Sequence, residues 1–481
     1  MNERLPPIGW RLVADQSVRV LDGGRVLAGG SPLRLIRLTE GTTAAFDQLT
    51  TGGRPLGRGP GIRRFARRLL DAGIVHPVPN DADAQDEAVG AGVAVVIPVR
   101  DDPDGLDVAL RSVAMLRPVV DEVVVVDDAS ADEASIAQVA ERHGARVVRL
   151  TTNVGPGEAR NRGAAVVDAE LVAFVDADVE VAPELLATVV AHFGDPAVAA
   201  VAPRVTSRSG TSVVERYDLT RSPLDLGPAS APVRPLTRVA YVPSAVLVVR
   251  RERFEGCGGF DRSLRFGEDV DLVWRLVEAG ERVRYVAEVS AVHRPRRTIA
   301  GLARQRFGYG SAAPALHQRH TGLVPPLAVS GWSLTAWVMA GLGHPALGLV
   351  VAAGSTAALP AKLATSLRQP WRESLRLAGW GHWMAGRQIA EAMTRSWWPI
   401  TLVVAMAVPR VRRTAAVALL APALADWWRE RPPLDPFRYV ALRVLDDVAY
   451  GAGVWASGVR ARNLGALVPD LRSWPGKDGA D

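Results

Sequence analysis

The sequence predicts an α/β protein built on a central sheet that is buried on both faces. Two continuous β-branched runs carry this reading, Val93–Val99 (VAVVIPV) and Glu122–Asp128 (EVVVVDD), with a helical pattern over Gly105–Leu116 between them. The alternation then continues, with a strand over Ala145–Leu150, a helix over Gly157–Val167 and a strand over Leu171–Val175. In a doubly wound parallel sheet, ligands bind beyond the carboxyl ends of the strands. Residues that carry chemistry are therefore expected just after each strand.

The segment before the sheet, residues 1–80, reads as a module of its own. Two short apolar runs flank Asp22-Gly23-Gly24, which is hairpin-turn chemistry, and Ser31–Leu38 continues with alternating apolar residues. Thr39 or Thr42 can cap a helix over Thr43–Thr50 with Phe46 and Leu49 inward. Arg63–Ala72 forms a second amphipathic helix, stopped by Gly73 at the C′ position. Helices with a small hairpin suggest a winged-helix-like module. The start, MNERLPPIGW, lacks the apolar core of a secretory signal. Residues 81–92, inside the acidic, small-residue-rich stretch NDADAQDEAVGAG, read as a linker to the sheet domain at 93–320.

The composition of the 481-residue chain, 48% hydrophobic and 22% charged, excludes wholesale disorder. The single Cys257 excludes a disulfide framework and any multi-cysteine metal site. Fifty-seven basic against 51 acidic residues leave a net charge of +6, too slight to argue for nucleic acid. Only Lys362 and Lys477 are lysines; the remaining positive charge is arginine, which suits phosphate and carboxylate forks. Arg63, Arg64, Arg67 and Arg68 read as a solvated helix face.

Residues 321–481 differ in kind, for eleven of the 13 tryptophans follow Gly331. Leu327–Gly343 and Pro345–Ala361 are 17-residue apolar stretches, at the short end for crossing a bilayer. Trp397–Val408 and Thr414–Trp428 are joined by Pro409–Arg413, which holds three arginines. Exporting those arginines would go against the positive-inside tendency if the sheet domain faces the cytoplasm. The first pair is therefore expected to span or dip into the membrane, and the second to lie at its interface with tryptophans at headgroup depth. A helical domain closed around an apolar core is the alternative.

The chemistry concentrates in five segments. Phe174-Val175-Asp176-Ala177-Asp178 delivers two carboxylates at the end of an apolar strand. Unpaired acids there are costly to bury and make sense beside a divalent cation, Mg2+ or Mn2+, which takes hard oxygen ligands. After the second strand, Asp127 or Asp128 can meet a base or ribose hydroxyl, or, like Ser130, cap the following helix. Asn153–Gly163 (NVGPGEARNRG) is a glycine-rich turn entering a helix, whose amides and Arg160 suit a diphosphate, or else form a plain loop with a solvated arginine. Leu264–Leu272 (LRFGEDVDL) sets Glu268, Asp269 and Asp271 at a helix start, either as dipole partners or as the source of a general base. His293, after the short run EVSAV, can offer an imidazole to a metal or be structural. No G-x-G-x-x-G follows the first strand, which disfavours dinucleotide binding.

In this order, VIPVRDD, VVDDAS, NVGPGEARNRG, FVDADV and FGEDVDLVWRL resemble the family-2 inverting glycosyltransferases of the GT-A fold, over about residues 93–300. The resemblance implies that Pro98, Arg100 and Asp128 line the nucleotide pocket, with Arg160 near the base or diphosphate. It implies that Asp176 and Asp178 flank the sugar nucleotide, with Asp178 holding the metal and His293 completing its site. Asp269 becomes the base, with Glu268 at the acceptor. The Q-x-x-R-W motif of polymerising synthases is absent, Gln305-Arg306-Phe307 being a faint echo, which speaks against long processive synthesis. The whole-chain layout is similar to the mycofactocin-system glycosyltransferases, with PLRLIRLTEGTTAAFDQL and RRFARRLLDAGIV resembling a peptide-chaperone domain. That likeness implies glucose transfer from a UDP-sugar donor to a peptide-derived small-molecule acceptor, building a short β-linked oligoglucoside at the cytoplasmic face of the membrane. Three readings stay open beside it: a family-2 transferase for another envelope glycan or lipid, a nucleotidyl- or phosphate-transferring enzyme, and a non-catalytic membrane-associated scaffold.

Overall fold

The computed structural model describes residues 4–79, 92–117 and 119–471. The chain divides into two compact units, residues 1–208 with 221–295 and residues 209–220 with 296–481.

The first unit opens with two small sheets and two helices. Strand β1 (Arg11–Ala14) pairs antiparallel with β5 (Val75–Val78), while β2 (Arg19–Leu21), β3 (Val26–Gly29) and β4 (Arg34–Arg37) form an antiparallel three-stranded sheet. The Asp22-Gly23-Gly24 turn between β2 and β3 has positive φ throughout, as its residues allow. Thr39 caps the Glu40–Thr50 helix by accepting the Thr42 amide, and the Thr42 hydroxyl accepts the Thr39 amide in return. The Pro60–Asp71 helix starts three residues before its apolar pattern, because Pro60 is pre-set for the first turn. Trp10, Phe46, Leu49, Leu69 and Ile74 close a core beneath these helices. The linker at 81–92 lies outside the described residues apart from Gly92.

The main sheet has nine strands: β6 (Val93–Val99), β7 (Glu122–Asp127), β8 (Arg146–Arg149), β9 (Leu171–Val175), β10 (Val179–Val181), β11 (Val198–Ser207), β12 (Ala231–Pro232), β13 (Val246–Arg250) and β14 (Arg282–His293). Their order is β10-β14-β11-β13-β9-β6-β7-β8, with β12 on β14. Strands β8, β7, β6 and β9 are parallel, as the β-branched runs predict. The other half is mixed: β13 runs antiparallel to both β9 and β11, and β14 runs parallel to β11. The wholly parallel sheet is thus corrected to a mixed one, since an apolar run signals a buried strand but not its direction. Val95, Val96, Ile97, Val124 and Phe174 are fully buried, so both faces are covered. The whole is a GT-A-like α/β sheet flanked by helices.

In the second unit the Ile299–Arg319 helix packs along the Pro436–Arg460 helix. Arg306 is buried there and forks between Asp218 at 3.1 Å and Asp446 at 3.0 Å, so the faint synthase echo serves packing. The unit also holds the helices Gly331–Gly341, Pro345–Leu363, Pro370–Thr394, Trp398–Ala407 and Pro409–Glu430. Among the described residues one helix, Pro345–Leu363, is long and apolar enough to cross a membrane, with a mean hydropathy of 1.5 and 22% of that window buried. The stretch before it forms an 11-residue helix, about 16 Å long, roughly half the hydrocarbon thickness.

Candidate active site

The carboxyl end of β9 is where the acids gather. Asp176 turns the chain tightly out of the strand: its amide donates to the Ala245 carbonyl at 3.0 Å, and its carbonyl accepts the Val179 amide at 3.0 Å. Strand β10 then pairs antiparallel with β14, placing Val179 opposite His293. This register sets the His293 Nε2 3.4 Å from Asp178 Oδ2, and the Asp178 carbonyl accepts the Arg294 amide at 2.9 Å.

Arg160 links this end to the second acidic motif. It lies on the Pro156–Ala164 helix, is 3% exposed, and donates Nη2 to Asp176 Oδ1 and Nη1 to Glu268 Oε1 at 3.2 Å. The Phe260 ring lies under its guanidinium, 5.5 Å from ring centre to Cζ. Glu268 is the first residue of the Glu268–Glu278 helix, whose N-cap Gly267 takes φ 76°, a conformation that favours glycine. The two helices approach closely because position 157 has no side chain: a Cβ there would lie 3.1 Å from Glu268 Cγ and 3.2 Å from Phe260 Cβ. Asp269, next in the helix, accepts the Val270 amide at 2.8 Å and the Ser244 amide at 3.3 Å.

One guanidinium is left facing three carboxylates. Burial raises the Asp176 carboxyl above its ordinary range, Asp178 adds to the rise, and Arg160 opposes it. Burial and then the neighbouring Asp269 push Glu268 up to about 7. Burial likewise raises Asp269 against its two amide donors and Arg160. Burial pulls the Arg160 guanidinium down, but Asp176 and Glu268 outweigh it and hold it firmly charged. The excess of acid suits a further positive group. The donor set fits Mg2+ or Mn2+, because Asp178 and His293 offer one carboxylate and one imidazole, and phosphate oxygens and water fill the other positions. No group of three or more acidic, histidine or cysteine residues placed to hold a metal occurs among the described residues.

The loops after β6 and β7 are built differently. Pro98 is half-buried in β6, and Arg100 is half-exposed beside Asp101 at 3.4 Å. Asp102 caps the Pro103–Val113 helix through the Gly105 amide at 3.0 Å and receives Arg294 on its other oxygen. Asp127 accepts the Ser130 amide at 2.9 Å and pairs with Arg149. Asp128 accepts the amides of Val154 at 2.7 Å and Gly155 at 2.9 Å, one on each carboxylate oxygen. The helix cap is Asp132, through the Ser135 amide at 3.1 Å, not Asp128 or Ser130.

The structure therefore pairs Arg160 with Asp176 and Glu268, sets Asp269 beside Glu268 in the helix, and pairs Asp178, two residues from Asp176, with His293. Asp128 acts indirectly, by fastening the loop that leads into the helix of Arg160. Among the described residues Pro98 and Arg100 make no side-chain hydrogen bond or ion pair with these acids. Sequence reasoning passed over Ser244 and Arg294; the basic run HRPRR directly after β14 was the one available signal for the latter.

Comparison with known proteins identifies the family. Residues 94–251 match the family model "Glycosyl transferase family 2". The chain is 39% identical over 479 residues to the pre-mycofactocin glycosyltransferase of Mycobacterium tuberculosis, in strains CDC 1551 and H37Rv, covering 97% of this chain and 99% of that protein. It is 32% identical over 117 residues to the succinoglycan biosynthesis protein ExoA of Rhizobium meliloti, covering 20% of this chain and 36% of the other. Among solved structures, glucosyl-3-phosphoglycerate synthase from Mycobacterium tuberculosis, crystallised with Mn2+, UDP and its product, matches at a TM-score of 0.35 and 19% identity over 51% of this chain and 85% of that one. With likeness to a characterised sequence running through nearly the whole of both chains, the chain belongs to the family-2 glycosyltransferases, in the group of the pre-mycofactocin glycosyltransferase.

Proposed function

We propose that this glycosyltransferase moves glucose from UDP-glucose, with inversion, onto pre-mycofactocin, a peptide-derived redox-cofactor precursor, building a short β-linked oligoglucoside. The observation that carries the reading is Arg160 bridging Asp176 and Glu268 at the end of β9, in a chain so alike, end to end, to the pre-mycofactocin enzyme. Asp269 is the general base: amides from Val270 and Ser244 fix its carboxylate, and it accepts the proton of the attacking hydroxyl. Glu268, held near neutrality by burial, shares the acceptor site and hydrogen-bonds the incoming sugar or peptide hydroxyl. Arg160 locks Asp176 toward the donor sugar, while Pro98, Arg100 and the loop fastened by Asp128 line the nucleotide side. Asp178 and His293 would hold the divalent cation. Bound there, Mg2+ or Mn2+ supplies Lewis-acid neutralisation of the charge that grows on the diphosphate.

A panel of UDP-sugars incubated with enzyme, Mn2+ and the peptide-derived acceptor tests this. UDP-glucose is expected to be the sugar consumed, with UDP released and hexose mass added to the acceptor. Preference for another sugar overturns the donor assignment, and release of pyrophosphate overturns glycosyl transfer itself.

We infer that residues 1–80 are the winged-helix-like, peptide-binding part, a reading supported by their own buried core. We infer also that the enzyme works at the cytoplasmic face of the membrane. Support comes from the apolar surface of the second unit, where Trp332, Trp380, Trp383 and Trp428 are each more than 60% exposed and Leu349 is 71% exposed. Exposed apolar residues of this size and number suit a lipid surface. The full chain is expected to sediment with membranes through a high-salt wash and to be released by detergent. Soluble, monodisperse protein in the salt wash would overturn the membrane assignment.

A further inference from the structure

We propose that the first unit holds a second ligand site, a cavity for a small organic anion, with Arg284 and Arg234 as its guanidinium clamp and the catalytic acids at the opposite end of the sheet. The cavity has a volume of about 440 Å3, within the range of small-molecule pockets. Its walls come from the Pro60–Asp71 helix, the starts of β11 and β14, the segment after β12 and the carboxyl end of the Glu268–Glu278 helix.

Strand directions fix its position. Because β13 is antiparallel to both β9 and β11, and β14 is parallel to β11, the starts of β11 and β14 lie at the amino end of β9. Asp176 and Asp178 follow the carboxyl end of β9. One helix runs between the two places: Glu268 begins it among the acids and Val277, which lines the cavity, lies about 14 Å further along its axis.

The wall charges do not cancel. Arg67 is taken up by Asp195 at 2.6 and 2.7 Å, Arg282 by Asp71 at 2.8 Å, and Glu281 by Arg4 at 2.6 Å. Two guanidiniums are left over. Arg284 is 6% exposed, and its Nε is buried with no hydrogen-bond partner. Arg234, half-buried on the same wall, makes no side-chain hydrogen bond or ion pair among the described residues. Burial pushes Arg284 down to about 10 and lowers Arg234 as well, which leaves both charged at neutral pH.

A charged guanidinium removed from water without a hydrogen-bonded counter-ion is unfavourable, and the more distant Asp195, Glu288 and Asp71 only lessen that cost for Arg284. A carboxylate or phosphate accepting its fork relieves that penalty and gains charge-assisted hydrogen bonds. Val198, Pro235 and Val277 make part of the wall apolar, which suits a short hydrocarbon body behind the anionic head. None of these residues takes part in the sugar-transfer chemistry, so the site stands independently of that reading.

Calorimetric titration of the full chain with sodium phosphate and with sodium succinate, against sodium chloride at equal ionic strength, tests the proposal. At least one of the two anions is expected to bind, and which one does names the head group. Arg234→Gln is expected to raise the apparent Kd at least about tenfold. Arg284→Met is expected to abolish binding while melting no lower than the wild type, because it removes an uncompensated buried charge. Should Arg284→Met fail to fold, Arg234→Gln decides alone, since its side chain is only half-buried. The proposal is overturned if neither anion binds more tightly than chloride, or if affinity is unchanged in Arg234→Gln, which would put the ion elsewhere, including at the diphosphate end.

Discussion

Asp269→Asn is expected to cut sugar transfer at least about a hundredfold, roughly 2.7 kcal/mol of barrier, while leaving the melting temperature within a few degrees. The carboxamide has nearly the same shape and can keep its oxygen on the Val270 amide, so one contact of about 1 kcal/mol, to Ser244, is what the fold loses. The proton acceptor, by contrast, is gone. Near-normal turnover in this variant would remove Asp269 from the base role.

The same pair of acids fixes the pH behaviour. Asp269 must be ionised to act and its carboxyl is raised by burial, so activity falls with acid above the usual carboxylate range. Stability moves the other way. Glu268 is raised from 4.5 to about 7, so between these values the folded chain binds the extra proton. Its contribution is therefore full below the unfolded value and is lost as pH rises through about 7. Asp269→Asn removes a neighbouring charge that raises Glu268, and the loss should become smaller. Melting curves across this range, for wild type and variant, check the sign.

Asp178→Ala is expected to lower turnover by at least about a hundredfold, and EDTA to abolish wild-type transfer until Mn2+ is restored. The backbone of the site should survive, since the Asp178 carbonyl keeps its bond from the Arg294 amide. A thermal readout separates loss of the ion from loss of the fold. UDP with Mn2+ should raise the wild-type melting temperature, because a ligand of the native state must stabilise it, and should do so much less in the variant. Full activity in chelator would remove the metal from the mechanism.

Much of the site could be read from the chain alone because acids at the end of apolar strands have few structural uses. Asp176 and Asp178 stood out for that reason, Glu268 and Asp269 as acids at a helix start, and the structure joins Asp176 to Glu268 through Arg160. The cap at Thr39 and the stop at Gly73, where φ is 67°, were legible because local backbone chemistry decides them. The burial of Arg160 was not. On a helix reading PGEARNRGA an arginine looks solvated, and only the close approach permitted at Gly157 turns it inward between two carboxylates. The reversed β13 escaped for a different reason, as strand direction depends on connections elsewhere in the fold. The long Pro370–Thr394 and Pro436–Arg460 helices were passed over because their polar residues interrupt any apolar run.

Asp128 shows that a motif acid can hold the polypeptide together. Each of its oxygens already receives a main-chain N–H, so it works as a clasp between two segments of polypeptide. Asparagine would turn its NH2 toward one of those donors and leave it unsatisfied, a cost of about 1–3 kcal/mol. An aspartate at this position thus has an architectural use of its own, so its presence in a sequence does not by itself name the base selected.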